Sequence, residues 1–149
     1  MIGMSRRKLK NLIDSEQVKD AIQKAERQTS GEIRVSVSGY FWGNVNRVAE
    51  KAFIRMGMTT TKDRNGILFF IVPSRRRFAV IGDIGIHAKV GQDFWEHLVS
   101  AMSENFSKGE FTEGLLRGIE EAGQRLATHF PYDPVGDVNE LSDDIDYGQ

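Results

Sequence analysis

The chain of 149 residues contains no cysteine. That single absence excludes disulfide staples, thiolate nucleophiles and cysteine-ligated zinc together. Histidine is scarce: His87, His97 and His129 are scattered, and no nucleophile, base and orienting group stand at a catalytic spacing. Long apolar runs are missing too. The most apolar stretch, Ile67 to Val72, is far too short to cross a bilayer, and no apolar segment follows the basic start, so neither a membrane span nor a signal peptide is expected. Charge of one sign is not in excess either, the formal net charge being -1, which removes any global attraction to nucleic acid or anionic membrane. No Walker-type phosphate loop occurs, and Gly82-Asp83-Ile84-Gly85 lacks the six-residue dinucleotide fingerprint. These exclusions leave a soluble, cytoplasmic protein whose expected partner is another protein.

What is present suits one globular domain, with 40% hydrophobic and 28% charged residues. Charge is unevenly spread. Ser5-Arg6-Arg7-Lys8-Leu9-Lys10 is basic, whereas Asp133, Asp137, Glu140, Asp143, Asp144 and Asp146 are the only charged residues after Pro131. Charge runs of this kind rarely pack, so residues 1–14 read as a basic tail, 15–130 as the folded domain and 131–149 as an acidic, disordered tail.

Within the domain, hydrophobic spacing separates helices from strands. Asp14 and Gln17 stand in a capping-box relation before Val18, Ala21, Ile22 and Ala25, predicting a helix from Ser15 to about Thr29. Ile33, Val35 and Val37 alternate with polar residues as in a strand. Val45 to Met56 returns to helical spacing and stops at Gly57. The wholly apolar Ile67 to Val72 is the pattern of a central strand covered on both faces. A turn at Pro73-Ser74-Arg75-Arg76 leads into a third strand, Phe78 to Ile81, as an antiparallel hairpin partner. Asp93 and Glu96 form a second capping-box pair before the stripe Phe94, Leu98, Val99, Met102 and Phe106, and Phe111 to Leu126 supplies the last helix. The predicted fold is α/β: a three-layer α/β/α sandwich whose short mixed sheet, a parallel crossover pair plus a hairpin strand, is flanked by about four helices.

That topology gathers Glu32, Asp63, Asn65 and Asp83 at one end of the sheet. Carboxylates with a side-chain amide are oxygen donors, the ligand class of Ca²⁺ or Mg²⁺. The alternative reading gives Asn65-Gly66 a turn role and pairs Glu32 with an arginine such as Arg64. The opposite end carries Arg75, Arg76 and Arg77, with Tyr40, Phe41 and Trp42 nearby, where the carboxyl ends of parallel strands bind ligands in open α/β sheets. Arginines there suit a phosphate or carboxylate, or form a solvated hairpin tip that discourages aggregation.

Thr29-Ser30-Gly31-Glu32-Ile33, Asn65-Gly66-Ile67-Leu68 and Arg77-Phe78-Ala79-Val80-Ile81-Gly82-Asp83 occur in an order that resembles the TPM domain family, also termed TPM phosphatase. Phe94-Trp95, Phe106-Ser107-Lys108-Gly109-Glu110-Phe111 and Gly114-Leu115 continue the pattern, and the resemblance runs from about Ser15 to Phe130. It implies an α/β/α sandwich, an acid-phosphatase activity proposed for some members and accessory or repair roles at membrane complexes for others. The family's acidic loop positions map onto Glu32, Asp63, Asn65 and Asp83. The expected function is a non-catalytic binding or accessory module with a divalent-cation site at the acidic edge; a metal-assisted phosphatase, and an anion or nucleic-acid binder using Arg75 to Arg77, are the alternatives.

Overall fold

A computed structural model describes residues 4–39, 43–135 and 141–148. Its elements follow in the order α1 (Arg6–Leu12), α2 (Ser15–Glu26), β1 (Glu32–Val37), α3 (Val45–Arg55), β2 (Gly66–Val72), β3 (Arg77–Gly82), α4 (Ile84–His87), α5 (Gln92–Ser107) and α6 (Phe111–His129). Short 3-10 turns at Met58–Thr60 and Pro73–Arg75 lead into and out of β2.

Strand order is β1-β2-β3. β1 and β2 run parallel, in register from Glu32 opposite Gly66 to Val37 opposite Ile71, and β3 returns antiparallel, from Val72 opposite Arg77 to Ile67 opposite Gly82. The apolar run therefore forms the central strand, and every residue of β2 is buried. Its alternate side chains serve two cores. Ile67, Phe69 and Ile71 join Ile33, Val35 and Val37 beneath α2, α5 and α6, whereas Leu68, Phe70 and Val72 meet Ala79 and the α3 residues Ala49, Ala52 and Phe53. The three-layer sandwich expected from the pattern is thus the fold observed.

Local sequence accounts for much of the placement. Asp14 caps α2 by accepting from the Gln17 amide at 3.1 Å and from its side chain at 2.8 Å, and the Asp14 amide donates to Thr112 Oγ1 at 3.0 Å, which ties α2 to α6. Gly118 lets α6 lie close, since a Cβ there would stand 2.6 Å from Met102 Sδ. α2 ends at Glu26, three residues short of the expected Thr29. Thr29 instead joins β1 to the end of α6, its hydroxyl donating to the Phe130 carbonyl and accepting from the Gly31 amide.

Three expectations need correction. The N-terminal segment is not simply a solvated tail: residues 6–12 form α1, with Ser5 as its cap, and Leu9 and Ile13 are buried. The acidic end also differs over residues 141–148, which lie on the domain, whereas residues 136–140 and 149 of the expected tail lie outside the described residues. Leu141, Ile145 and Tyr147 give the apolar anchorage that the count of acids obscured. Finally, α5 is capped at Gly91 with no side-chain bond, so Asp93 and Glu96 do not form the expected box.

Candidate functional site

At the acidic end of the sheet the three predicted segments do meet. The Glu32 amide donates to the Asn65 carbonyl at 3.2 Å, the Asp83 amide to Gly66 at 3.0 Å, and the Gly85 amide to Arg64 at 2.9 Å. Gly85 is needed for that approach, because a Cβ would stand 2.4 Å from the Asp63 carbonyl and 2.5 Å from that of Arg64. The carboxylates have taken partners within the chain. Arg64, itself in the left-handed region at φ 49, grips Asp83 with two bonds of 2.6 and 2.7 Å, and Asp83 Oδ1 also accepts from the Ile84 amide. Glu32 pairs with Arg34 at 2.8 Å rather than with Arg64. Asn65 is buried, its side chain at 3.5 Å from Ser30, while Asp63 is exposed. Among the described residues no group of three or more histidine or acidic side chains is arranged to hold a metal ion.

Sequence reasoning missed the strongest charge cluster. Arg34 is only 1% exposed, although it lies in the middle of β1, and it collects Glu26 at 2.6 Å, Glu32 at 2.8 Å and Asp143 at 3.1 Å. Its guanidinium also donates to the carbonyls of Ile33 and Leu141. Burial pushes the Glu26 carboxyl up to about 8; a hydrogen bond with Asp143 adds to the rise, and the Arg34 charge opposes it. Farther along β1, Ser36 donates to Asp146 at 2.7 Å, and Arg55 holds the same carboxylate at 2.7 and 3.0 Å. The available signal was an arginine inside a strand, flanked by Glu32 and preceded by Glu26.

These contacts close one side of the sheet. The outward Ile33 amide donates to Glu26 at 3.1 Å, the Val35 carbonyl accepts from the Asp146 amide at 3.0 Å, and the Val37 amide donates to the Asp146 carbonyl at 2.7 Å. The acidic terminal segment therefore lies parallel to β1 as an added extended piece.

The other side is open. β3 is an edge strand, and beside it runs a groove of about 830 Å³ between the start of α3 and one stripe of α5. Arg75, Arg76 and Arg77 line its far end, Phe78 and Val80 its floor, and Trp95 and Val99 its α5 wall. His87 stacks on Trp95 with ring centres 4.9 Å apart. Arg75 donates to the Gly43 carbonyl at 2.7 Å and Arg76 to that of Ser107 at 2.9 Å. Carbonyl partners orient both guanidiniums without neutralising them, and among the described residues no acidic side chain lines the groove. The arginine turn predicted as an anion site is thus part of a built concavity; Tyr40, Phe41 and Trp42, expected as its apolar wall, lie outside the described residues. The remaining histidines sit apart, His97 bonded to the Asp93 carbonyl within α5 and His129 at the end of α6.

No curated protein matches the chain. Among solved structures, the NMR structure of BA42 protein from the psychrophilic bacterium Bizionia argentinensis is 37% identical, covering 91% of this chain and 95% of that one, with a TM-score of 0.84. Two further solution structures share the fold at low identity. The N-terminal domain of cg2496 from Corynebacterium glutamicum is 14% identical with a TM-score of 0.62, covering 91% of this chain and 81% of that one. An N-terminal domain from P. gingivalis is 21% identical with a TM-score of 0.65, covering 82% of each chain. The family described as the TPM domain matches residues 9–125, most of the sequence. No helix of the described residues is long and apolar enough to cross a membrane. On the strength of that match and of the sandwich it accompanies, the chain belongs to the TPM domain family.

Proposed function

We propose that the protein is a binding module that holds an anionic segment of another protein in the groove beside β3. The carrying observation is the lining: three consecutive arginines, two of them fixed by backbone carbonyls, with no carboxylate among the described residues of the same concavity. Preset guanidiniums suit carboxylate or phosphate groups because their donors need no rearrangement to bind, and Trp95, Phe78 and Val80 add apolar surface beside them. The test is an amide NMR titration with a glutamate-rich peptide and, separately, with tripolyphosphate. Shifts should centre on Arg75 to Phe78, weaken with added salt and vanish in Arg77→Glu. Undisturbed amides there with both probes would overturn the reading.

A second reading keeps a divalent cation at the acidic end, favoured by the exposed Asp63 beside the Asp83 loop. A cation there must compete with Arg64 for Asp83, so binding belongs in the range of exposed carboxylate sites, on the order of 10⁻⁴ to 10⁻³ M. Ca²⁺ or Mg²⁺ should shift amides near Glu32, Asp63 to Gly66 and Asp83, and Arg64→Gln should strengthen the response by releasing the carboxylate. An unchanged or weaker response in that variant counts against the cation.

A further inference from the structure

Resting on the groove reading, we infer that the partner segment binds as an added β-strand: an acidic, extended peptide pairs its backbone with the open edge of β3 and lays its alternate apolar side chains against Trp95 and Val99.

Register decides which groups are on offer. The Asp83 amide bonds to the Gly66 carbonyl, so residues 66 and 83 are a hydrogen-bonded pair of the antiparallel ladder. Alternation then makes Ile81, Ala79 and Arg77 the β3 residues bonded to β2, and turns the amides and carbonyls of Phe78, Val80 and Gly82 outward. No hydrogen bond to those outward groups occurs among the described residues. The surroundings make them a channel rather than a flat rim. Phe78 and Val80 are half-buried on the α5 side, Val99 is 45% exposed, and Trp95 leans over Gly82 so closely that a Cβ there would meet its ring at 2.4 Å. An occupant must therefore be thin and extended, as a single strand is.

The chain itself indicates which chemistry suits an edge of this sheet. On β1 the position is filled by an extended acidic segment whose Asp146 backbone bonds to Val35 and Val37 while Arg34 and Arg55 take its carboxylates. The β3 edge repeats that pairing of unpaired backbone with arginines, here Arg75 to Arg77, and none of the described residues takes the segment's place. Charge complementarity thus selects an acidic strand. A second copy of β3 is disfavoured, since its own Arg75 to Arg77 would enter a groove already lined with cations.

The test uses the whole protein and a short capped peptide alternating glutamate and valine. Its comparison is the same peptide N-methylated on alternate residues, which keeps charge and side chains but loses the donors of one edge. The unmodified peptide should shift Phe78, Val80 and Gly82 and slow exchange of their amide protons. N-methylation should weaken binding by at least about tenfold. Val80→Pro, which removes one outward donor on an edge strand that tolerates proline, should weaken it similarly. Equal affinity for both peptides, with shifts confined to Arg75 to Arg77, overturns strand addition and leaves the anionic groove standing. Silence with both peptides and with tripolyphosphate overturns the groove reading too. Protection of β3 that grows with protein concentration alone assigns the edge to a second copy and overturns the proposal.

Discussion

Arg34 carries an unusual burden for one side chain. Removing it leaves Glu32 and Asp143 without their shared cation beside the Glu26 carboxyl, and stranding buried charge in this way costs about 3–5 kcal/mol. Arg34→Met should lower stability to urea by that order, and adding Glu26→Gln and Glu32→Gln should restore part of the loss. A variant as stable as the parent would show that the cluster is electrostatically idle. Gly85→Ala tests a different constraint, the backbone approach of the Asp83 loop to Arg64, and should cost about 1–3 kcal/mol in the same assay. Legibility at this scale was mixed. The Asp14 cap could be read because its partner is three residues away, whereas Arg34 was concealed by the strand pattern itself: period-two alternation assigns polar residues to solvent, and the counter-charge that overturns this comes from Asp143 at the far end of the chain.

Among elements, the central ones were legible because their signals are local and strong. β2 declared itself by an unbroken apolar run, α5 and α6 by stripes at helical spacing, and the parallel pairing of β1 with β2 followed from the crossover through α3. α1, the brief α4 and the docked terminal segment were not, since each depends on contacts with distant parts of the fold. The acidic segment is the clearest case. Six acids suggested a chain that cannot fold, but Leu141, Ile145 and Tyr147 insert among core residues while Lys19, Arg34 and Arg55 meet Asp144, Asp143 and Asp146. Deleting residues 141–149 should therefore reduce thermal stability, speed hydrogen exchange at Val37, and raise the tendency to associate as the edge of β1 is uncovered. Unaltered exchange at Val37 would mean that the segment contributes nothing to that edge in solution.

For the whole molecule, two carboxyls tilt stability in opposite directions with pH. Glu26 is raised by burial from its ordinary value of 4.5 to about 8, so the folded form keeps a proton that the unfolded chain releases. Its contribution is complete below about 4.5, declines above that and is lost as pH rises through about 8. Asp146 behaves conversely. Burial works to raise it, but hydrogen bonds from Arg55 and Ser36, with the Arg55 charge, outweigh that and hold it below the usual carboxylate value. Its contribution is present above the ordinary aspartate range and lost as pH falls through its lowered folded value. Melting temperatures followed from about pH 5 to about pH 9 should decline towards the alkaline end, and Glu26→Gln should flatten that decline. A variant that declines as steeply as the parent would separate the alkaline loss from Glu26.

The unequal edges of the sheet set a valence. A sheet open on both sides can grow without limit, each added strand presenting a fresh edge to the next. Here β1 is occupied by Asp146 and sealed at Ile33 by Glu26, while β3 remains available. Backbone pairing of the proposed kind is therefore directed to one side of each molecule, because the docked acidic segment closes the β1 backbone to a second neighbour.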